Sequence, residues 1–194
     1  MNTIEAYLSG LQAMLEQLSR DDIRAVVGAL ERAWRARRRI YIIGNGGSAA
    51  TASHMMNDLN KMTRVPGQDR VMAIALTDNV PLMTAMANDQ EFADVFTEPL
   101  LNLMEAGDVL IAISTSGNSP NIVKAAHLAK DVGATLIGLC GVPGGQLAEM
   151  ADLRVGIPAP LIGQQEDGHL ILNHVIALAL AERIRSAAGA EGRA

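Results

Sequence analysis

The sequence contains few aromatic residues and a single cysteine. Phe, Trp and Tyr make up 3% of the 194 residues, which leaves few rings on which nucleic-acid bases could stack. Because Cys140 is the single cysteine, no intrachain disulfide can form. Its apolar neighbours predict a small buried side chain rather than a nucleophile. A chain with a single cysteine and no intrachain disulfide fits a reducing compartment, so we expect a cytoplasmic location.

The chain also lacks an excess of positive charge and long hydrophobic runs. Its net charge is −5 and its pI is near 5.3, so no overall field attracts nucleic acid or an anionic membrane. No stretch approaches about 20 uninterrupted apolar residues, and acidic or polar side chains recur through residues 1–22. We therefore expect no membrane span, no secretion signal and no nucleic-acid partner.

Apolar residues make up 49% of the chain, enough to bury the core of a single domain over residues 1–194. Apolar positions three and four apart predict a helix over residues 4–17. Ser19 and the acids after it can cap a second helix that runs to Arg38, ending in an arginine run that the helix dipole favours. We expect residues 1–38 to serve packing or oligomerisation and residues 186–194 to form a loose tail.

The rest of the chain alternates between two periodicities. Amphipathic segments predict helices between short apolar runs bounded by glycine or proline, and this alternation predicts an α/β, doubly wound, five-stranded parallel sheet flanked by helices. The predicted strands are residues 40–43, 71–76, 108–114, 134–140 and 152–158. Helices are expected at residues 49–62, 79–88, 91–105, 119–132 and 144–150, with a last one near 165–187.

Two polar loops follow the first and third predicted strands, at the sheet edge where open α/β proteins bind ligands. Backbone N–H groups, hydroxyls and a following helix N-terminus together predict an anion site, and phosphate is its natural occupant. Such loops also occur as structural turns, and neither matches a dinucleotide or nucleoside triphosphate motif. The candidate binding residues are Asn45, Gly46, Gly47 and Ser48 in the first loop, and Ser114, Thr115, Ser116 and Ser119 in the second.

Histidines and acids nearby offer groups for metal binding or proton transfer. His54 and Asp58 are four residues apart on the helix that follows the first loop, so they share one face. By residue pattern alone, a histidine packed among methionines beside a solvated acid is the favoured explanation of the pair. His174 lies in the apolar segment LILNHVIALALA, where a histidine commonly has only a structural role.

Several segments together resemble the sugar isomerase (SIS) domain proteins and, more closely, the phosphoheptose isomerases. They are GNGGSAATASH at 44–54, Asn88-Asp89, GDVLIAISTSGNSPN at 107–121, GVPGG at 141–145 and QEDGHLILNH at 165–174. The resemblance covers nearly the whole chain, including the two leading helices. It implies a flavodoxin-like SIS fold, interconversion of sedoheptulose 7-phosphate and D-glycero-D-manno-heptose 7-phosphate, bound Zn²⁺, and a homotetramer with active sites at subunit interfaces.

The resemblance also implies roles for individual residues. It assigns metal binding to His54, Asp58, Glu166 and His174, with Asp58 and His174 also acting as base and acid. Glu166 is a candidate substrate contact too, and Asn45, Asn88 and Asp89 would hold sugar hydroxyls. The family usually has Glu at Asp58, Gln at Glu166 and often Arg at Gln164, and a one-residue shift would place Gln165 in the site instead of Glu166.

Glu166 and His174 are eight residues apart, or about 12 Å along a continuous helix, which is too far for one ion. Either the last helix begins after Glu166, near Gly168 as we expect, or two chains contribute. Three other functions compete: isomerisation of another phosphosugar, a noncatalytic sugar-phosphate sensor, and an adaptor resembling the replication-initiator-binding protein of the superfamily. The GNGGS loop and His174 argue against the adaptor.

Overall fold

A computed structural model describes residues 3–191 of the chain and contains the predicted parallel sheet. The strands are β1 (Arg39–Gly44), β2 (Met72–Ala75), β3 (Val109–Ser114), β4 (Thr135–Gly141) and β5 (Leu153–Ile157). Neighbouring strands pair in the order β2-β1-β3-β4-β5, and every pairing is parallel. This confirms the predicted fold class.

Helices connect and flank these strands. They are α1 (Thr3–Gln17), α2 (Arg20–Arg35), α3 (Gly47–Met62), α4 (Val80–Asp89), α5 (Thr97–Leu103), α6 (Pro120–Val132), α7 (Gly145–Met150) and α8 (Ile162–Glu191). The helix predicted over residues 91–105 is wrong in its extent, because a short 3₁₀ turn at Phe92–Asp94 precedes the shorter α5. Pro99 lies in the first turn of α5, where its missing N–H is tolerated.

Two hydrophobic clusters occupy opposite faces of the sheet. Alternate strand residues face opposite ways, so Ile111 joins the cluster under α2, α3 and α8, while Leu110 joins the cluster under α5, α6 and α7. Both side chains are fully buried. The lone cysteine, Cys140, is also buried and free, as its neighbours predicted.

The last helix is longer than expected at both ends. α8 begins at Ile162 and not near Gly168, so Glu166 lies inside the helix and not before it. The tail expected to be loose from residue 186 is helical up to Glu191, since its alanines favour helix, and residues 192–194 lie outside the described residues. Within residues 3–191, no helix combines the length and apolar character that crossing a bilayer requires.

The arginine run at residues 35–39 starts at the last residue of α2, and its side chains pair with carboxylates. The helix ends at Arg35, three residues before the predicted end, because Arg37 adopts a positive φ of 54°. Arg35 pairs with Glu31, and Arg37 with Asp69. The run therefore spans the end of α2, a turn and the first residue of β1.

A buried histidine links the fold to pH. His169 on α8 is 0% exposed, and neither ring nitrogen has a hydrogen-bond partner within normal geometry among residues 3–191. Burial lowers the pKa of His169 to about 4, and the backbone of Cys140 has a smaller, opposing effect. The folded protein therefore holds this imidazole neutral, whereas the unfolded chain protonates it near pH 6.5.

We expect the free energy of unfolding to fall as the pH drops from about 6.5 towards 4. Because the pKa is depressed, the contribution of neutral His169 to the free energy of unfolding is fully present above pH 6.5. It decreases by up to about 3 kcal/mol as the pH falls from 6.5 to 4. Urea unfolding at pH 7.5 and pH 5 measures this loss. His169→Phe should reduce the difference between the two pH values, while exposed His127→Gln should leave it unchanged; equal pH dependence in wild type and His169→Phe would contradict the assignment.

Candidate active site

The two glycine-bearing loops lie where the strand order of the parallel sheet reverses, between β1 and β3. β1 and β3 are neighbours in the sheet. β2 lies on the outer side of β1, and β4 lies on the outer side of β3. The first loop, residues 44–48, leads into α3 on one face of the sheet, and the second loop, residues 114–119, leads into α6 on the other. Such a switch point opens a crevice at the carboxyl ends of the strands, which is where ligands bind in this class of sheet.

The first loop is tied to the start of α6 by a reciprocal amide pair. Asn45 Nδ2 donates to Asn121 Oδ1 at 2.9 Å, and Asn121 Nδ2 donates to Asn45 Oδ1 at 2.8 Å. Asn121 is buried, whereas Asn45 is half-buried. Gly46 and Gly47 are exposed, and Ser48 is buried in the first turn of α3. The pair therefore holds both walls of the crevice together.

The second loop is held by bonds within itself and to the start of α7. The Gly117 N–H donates to Ser114 Oγ at 3.1 Å, and the Leu147 N–H donates to the Gly117 carbonyl at 3.0 Å. Ser116 is exposed and Thr115 and Ser119 are half-buried. Ser119 is the N-cap of α6, and its side chain makes no capping bond there. A rigid loop thus presents hydroxyls at a helix N-terminus, as an anion site requires.

His54, Asp58 and His174 come together between α3 and α8. The two histidine Nε2 atoms are 3.4 Å apart, and Asp58 Oδ2 is 3.4 Å from His54 Nε2 and 3.7 Å from His174 Nε2. The carboxylate is buried, while both imidazoles are exposed. Sequence spacing placed His54 beside Asp58, and the packing of α8 on α3 adds His174.

This donor set fits a metal ion of the zinc type. One ligand atom from each of the three residues lies within 4.8 Å of the others. Corners of a tetrahedron around Zn²⁺, with bonds of about 2.0–2.1 Å, are about 3.4 Å apart, close to the spacing of these three atoms. Two imidazoles and one carboxylate leave one position for water or substrate, as in catalytic zinc sites.

Glu166 lies in a different place from these three residues. A Cβ built at Gly47 would be 2.3 Å from Glu166 Oε1, so the carboxylate lies against the first turn of α3. Gln165 instead donates to the Ala159 carbonyl, and Gln164 donates to the Tyr7 carbonyl. Of Gln165 and Glu166, the latter is therefore the one beside the first loop.

Asn88 and Asp89 lie at the end of α4, whose residues are all exposed or half-buried. The Asn88 amide donates to Asp89 Oδ1 at 2.8 Å, and both side chains are exposed. This places both side chains at the surface of the chain.

Two buried asparagines were missed by the sequence reasoning. Asn121 pairs with Asn45, and Asn173 Nδ2 donates to Asp58 Oδ2 at 3.0 Å. For Asn173, the available sign was an amide within an apolar helical stretch, since buried polar groups generally have a specific partner. The identity of that partner depends on how α8 packs against α3.

Comparisons with known proteins identify the family to which this fold belongs. The family described as SIS domain matches residues 6–141. The chain is 33% identical over 184 residues to the phosphoheptose isomerase of Geotalea daltonii, covering 93% of this chain and 95% of that one. It is 38% identical over 153 residues to the phosphoheptose isomerase of Mycobacterium bovis, covering 79% and 78%. The solved phosphoheptose isomerase of Neisseria gonorrhoeae superimposes with a TM-score of 0.82 at 30% identity, covering 94% and 95%.

Proposed function

The chain belongs to the SIS domain family and, within it, to the phosphoheptose isomerases, and on that basis we propose that it interconverts sedoheptulose 7-phosphate and D-glycero-D-manno-heptose 7-phosphate. The observation that carries this proposal is the cluster of a buried carboxylate and two exposed imidazoles near the switch-point crevice. A carboxylate that can exchange a proton with carbon is what an aldose–ketose isomerisation needs.

The phosphate of the substrate binds at the second loop in this proposal. The carboxylate of Glu166 already lies at the N-terminal turn of α3, where the helix dipole favours one negative charge. A second anion there would be repelled. The α6 N-terminus has no such acid among the contacts described for it, and Thr115, Ser116 and Ser119 offer hydroxyls to the phosphate oxygens.

The first loop then faces the sugar. Asn45, Gly46, Gly47 and Ser48 offer amide, hydroxyl and backbone groups to sugar hydroxyls, and Glu166 can accept hydrogen bonds from a diol. Asn88 and Asp89 are also proposed to hold hydroxyls. Binding at the phosphate end would orient the reacting carbons for proton transfer.

Asp58 and His174 carry out the proton transfers. Asp58 takes a proton from C1 of the ketose, which leaves an enediol, and returns it to C2 to give the aldose. His174 shifts a proton between the oxygens on C1 and C2, so that the charge of the enediol is neutralised at each stage. The reverse reaction uses the same groups in the opposite order.

His54, Asp58 and His174 are proposed to hold Zn²⁺, which would polarise the carbonyl of the substrate when bound. Glu166 and His174 lie on one continuous helix, eight positions apart. A contribution of Glu166 to the same ion would therefore have to come from a neighbouring copy of the chain.

We further propose a cytoplasmic homotetramer with active sites at subunit interfaces. Apolar side chains on α1 and α8 are exposed, among them Leu8 at 56% and Leu178 at 54%. Large exposed apolar surfaces of this kind favour association. Sedimentation velocity of the purified protein tests the assembly, and a monomer at micromolar concentration would reject it.

The first test of the function is turnover of sedoheptulose 7-phosphate by the purified protein, followed by NMR detection of the aldose. We expect product in the presence of Zn²⁺ and a loss of at least about tenfold in rate after chelation, restored by added Zn²⁺.

Each alternative function has its own outcome in this assay. Product from a different phosphosugar only would favour a related isomerase. Binding of the sugar phosphate without turnover would favour a sensor, and the absence of both would favour an adaptor.

A further inference from the structure

Asn173 is a buried amide in the apolar part of α8. It is 0% exposed, and its neighbours along the chain are buried Leu172 and the site residue His174. Its Nδ2 donates to Asp58 Oδ2 at 3.0 Å. Its Oδ1 is buried and has no hydrogen-bond partner among residues 3–191.

Packing alone does not explain an asparagine at this position. A buried amide oxygen without a partner destabilises the folded state, and an apolar side chain of similar size avoids that loss. Among residues 3–191, the one hydrogen bond that the Asn173 side chain makes goes to the carboxylate of the proposed site. A residue whose stabilising contribution is poor, but whose single partner is the reacting group, is better explained by positioning.

The bond holds one particular oxygen of Asp58. Oδ2 is the atom that lies 3.4 Å from His54 Nε2 and 3.7 Å from His174 Nε2. The other oxygen, Oδ1, accepts from the exposed Asn57 at 3.2 Å, a bond open to competition with water. Asn173 is therefore the buried contact that sets the rotation of the carboxylate.

We propose that Asn173 is a positioning residue that fixes Asp58 Oδ2 towards His54 and His174, for both metal binding and proton transfer. This inference rests on the proposed function for its catalytic part. Its metal-binding part depends only on the three-residue cluster. The amide does not touch substrate, because it is fully buried behind the carboxylate.

The test compares Asn173→Leu with wild type in two measurements. We expect the Kd for Zn²⁺, measured by competition with a chelating dye, to rise about 10- to 100-fold. At saturating Zn²⁺ we expect kcat to fall by a similar factor while KM changes less than about threefold, since the substrate contacts are intact. Asn173→Ala removes the amide without added bulk and serves if the leucine variant does not fold.

Asn60→Leu is the matched control. Asn60 is an asparagine on α3, the helix that carries Asp58, but its side chain bonds the backbone of Ala73 on β2 and not the cluster. We expect this variant to lose thermal stability and to keep the wild-type Kd for Zn²⁺ and kcat. A loss of the same size in Asn60→Leu would show a general effect of core damage and would overturn the proposal.

A double-mutant cycle with Asp58→Asn tests whether Asn173 acts through Asp58. We expect Asn173→Leu to weaken Zn²⁺ binding in the wild-type background and to have no further effect once the carboxylate is gone. Additive losses, or an unchanged Kd and kcat in Asn173→Leu, would overturn the inference. If wild type turns over no phosphosugar, the proposed function fails, and the Zn²⁺ Kd values alone then decide the role of Asn173.

Discussion

Asp58→Asn is expected to lower kcat by about 1,000-fold or more, while KM for sedoheptulose 7-phosphate changes by only a few-fold. The substitution keeps the size of the side chain but removes the charge and the proton acceptor. The phosphate contacts proposed at the second loop lie on another element, so substrate binding should persist. Steady-state kinetics at saturating Zn²⁺, with calorimetric titration of substrate, separates the two effects.

Two further variants serve as a rescue and a control for Asp58→Asn. Asp58→Glu restores a carboxylate and should recover measurable turnover. Asp69→Asn removes a carboxylate that pairs with exposed Arg37 and should leave kcat unchanged. A near-normal kcat in Asp58→Asn would reject the assignment of Asp58 as the base.

Gly117→Ala is expected to disrupt the second loop. Gly117 has a φ of +65°, and a Cβ there would lie 1.8 Å from the Gly144 carbonyl oxygen. The positive φ costs an L residue about 1 kcal/mol, and the clash with backbone cannot be relieved by turning a side chain. We expect the free energy of unfolding to fall by about 3 kcal/mol and the Kd for inorganic phosphate to rise at least about tenfold.

Gly67→Ala is the matched control for this substitution. Gly67 also has a positive φ, of +81°, but a Cβ there meets nothing within 4 Å. It should lose only the conformational part, about 1 kcal/mol, and keep phosphate binding. Urea unfolding and phosphate titration measure both variants. Similar stability of Gly117→Ala and Gly67→Ala would contradict a role for the close approach to Gly144.

Local patterns in the chain were sufficient to predict the sheet and its binding edge. Short β-branched runs such as IYII at 40–43 form buried parallel strands, because both faces of the sheet are covered by helices. The loops after β1 and β3 carry the glycine and hydroxyl residues that a strand-end crevice needs. The strands and loops depend on residues that are close together in the chain, so they can be predicted from local sequence patterns.

Element ends were less well predicted. The start of α8 at Ile162 was missed because the segment before Gly168 has no distinct cap, and helix extent there follows from packing on α1 and β5. The same packing directs Gln164 to the Tyr7 carbonyl and leaves Glu166 beside Gly47. Which of Gln165 and Glu166 lies beside the first loop therefore depends on the orientation of the helix.

The sequence by itself determined the fold class, the two loops and the pairing of His54 with Asp58, since each follows from residues close together in the chain. The family resemblance grouped His174 with Asp58, but only the tertiary structure brought the two into contact and placed Asn173 there as well, each more than 100 positions away. The reason is physical: a helix face repeats every 3.6 residues and can be read locally, whereas the contact between α3 and α8 depends on how both pack on the same face of the sheet.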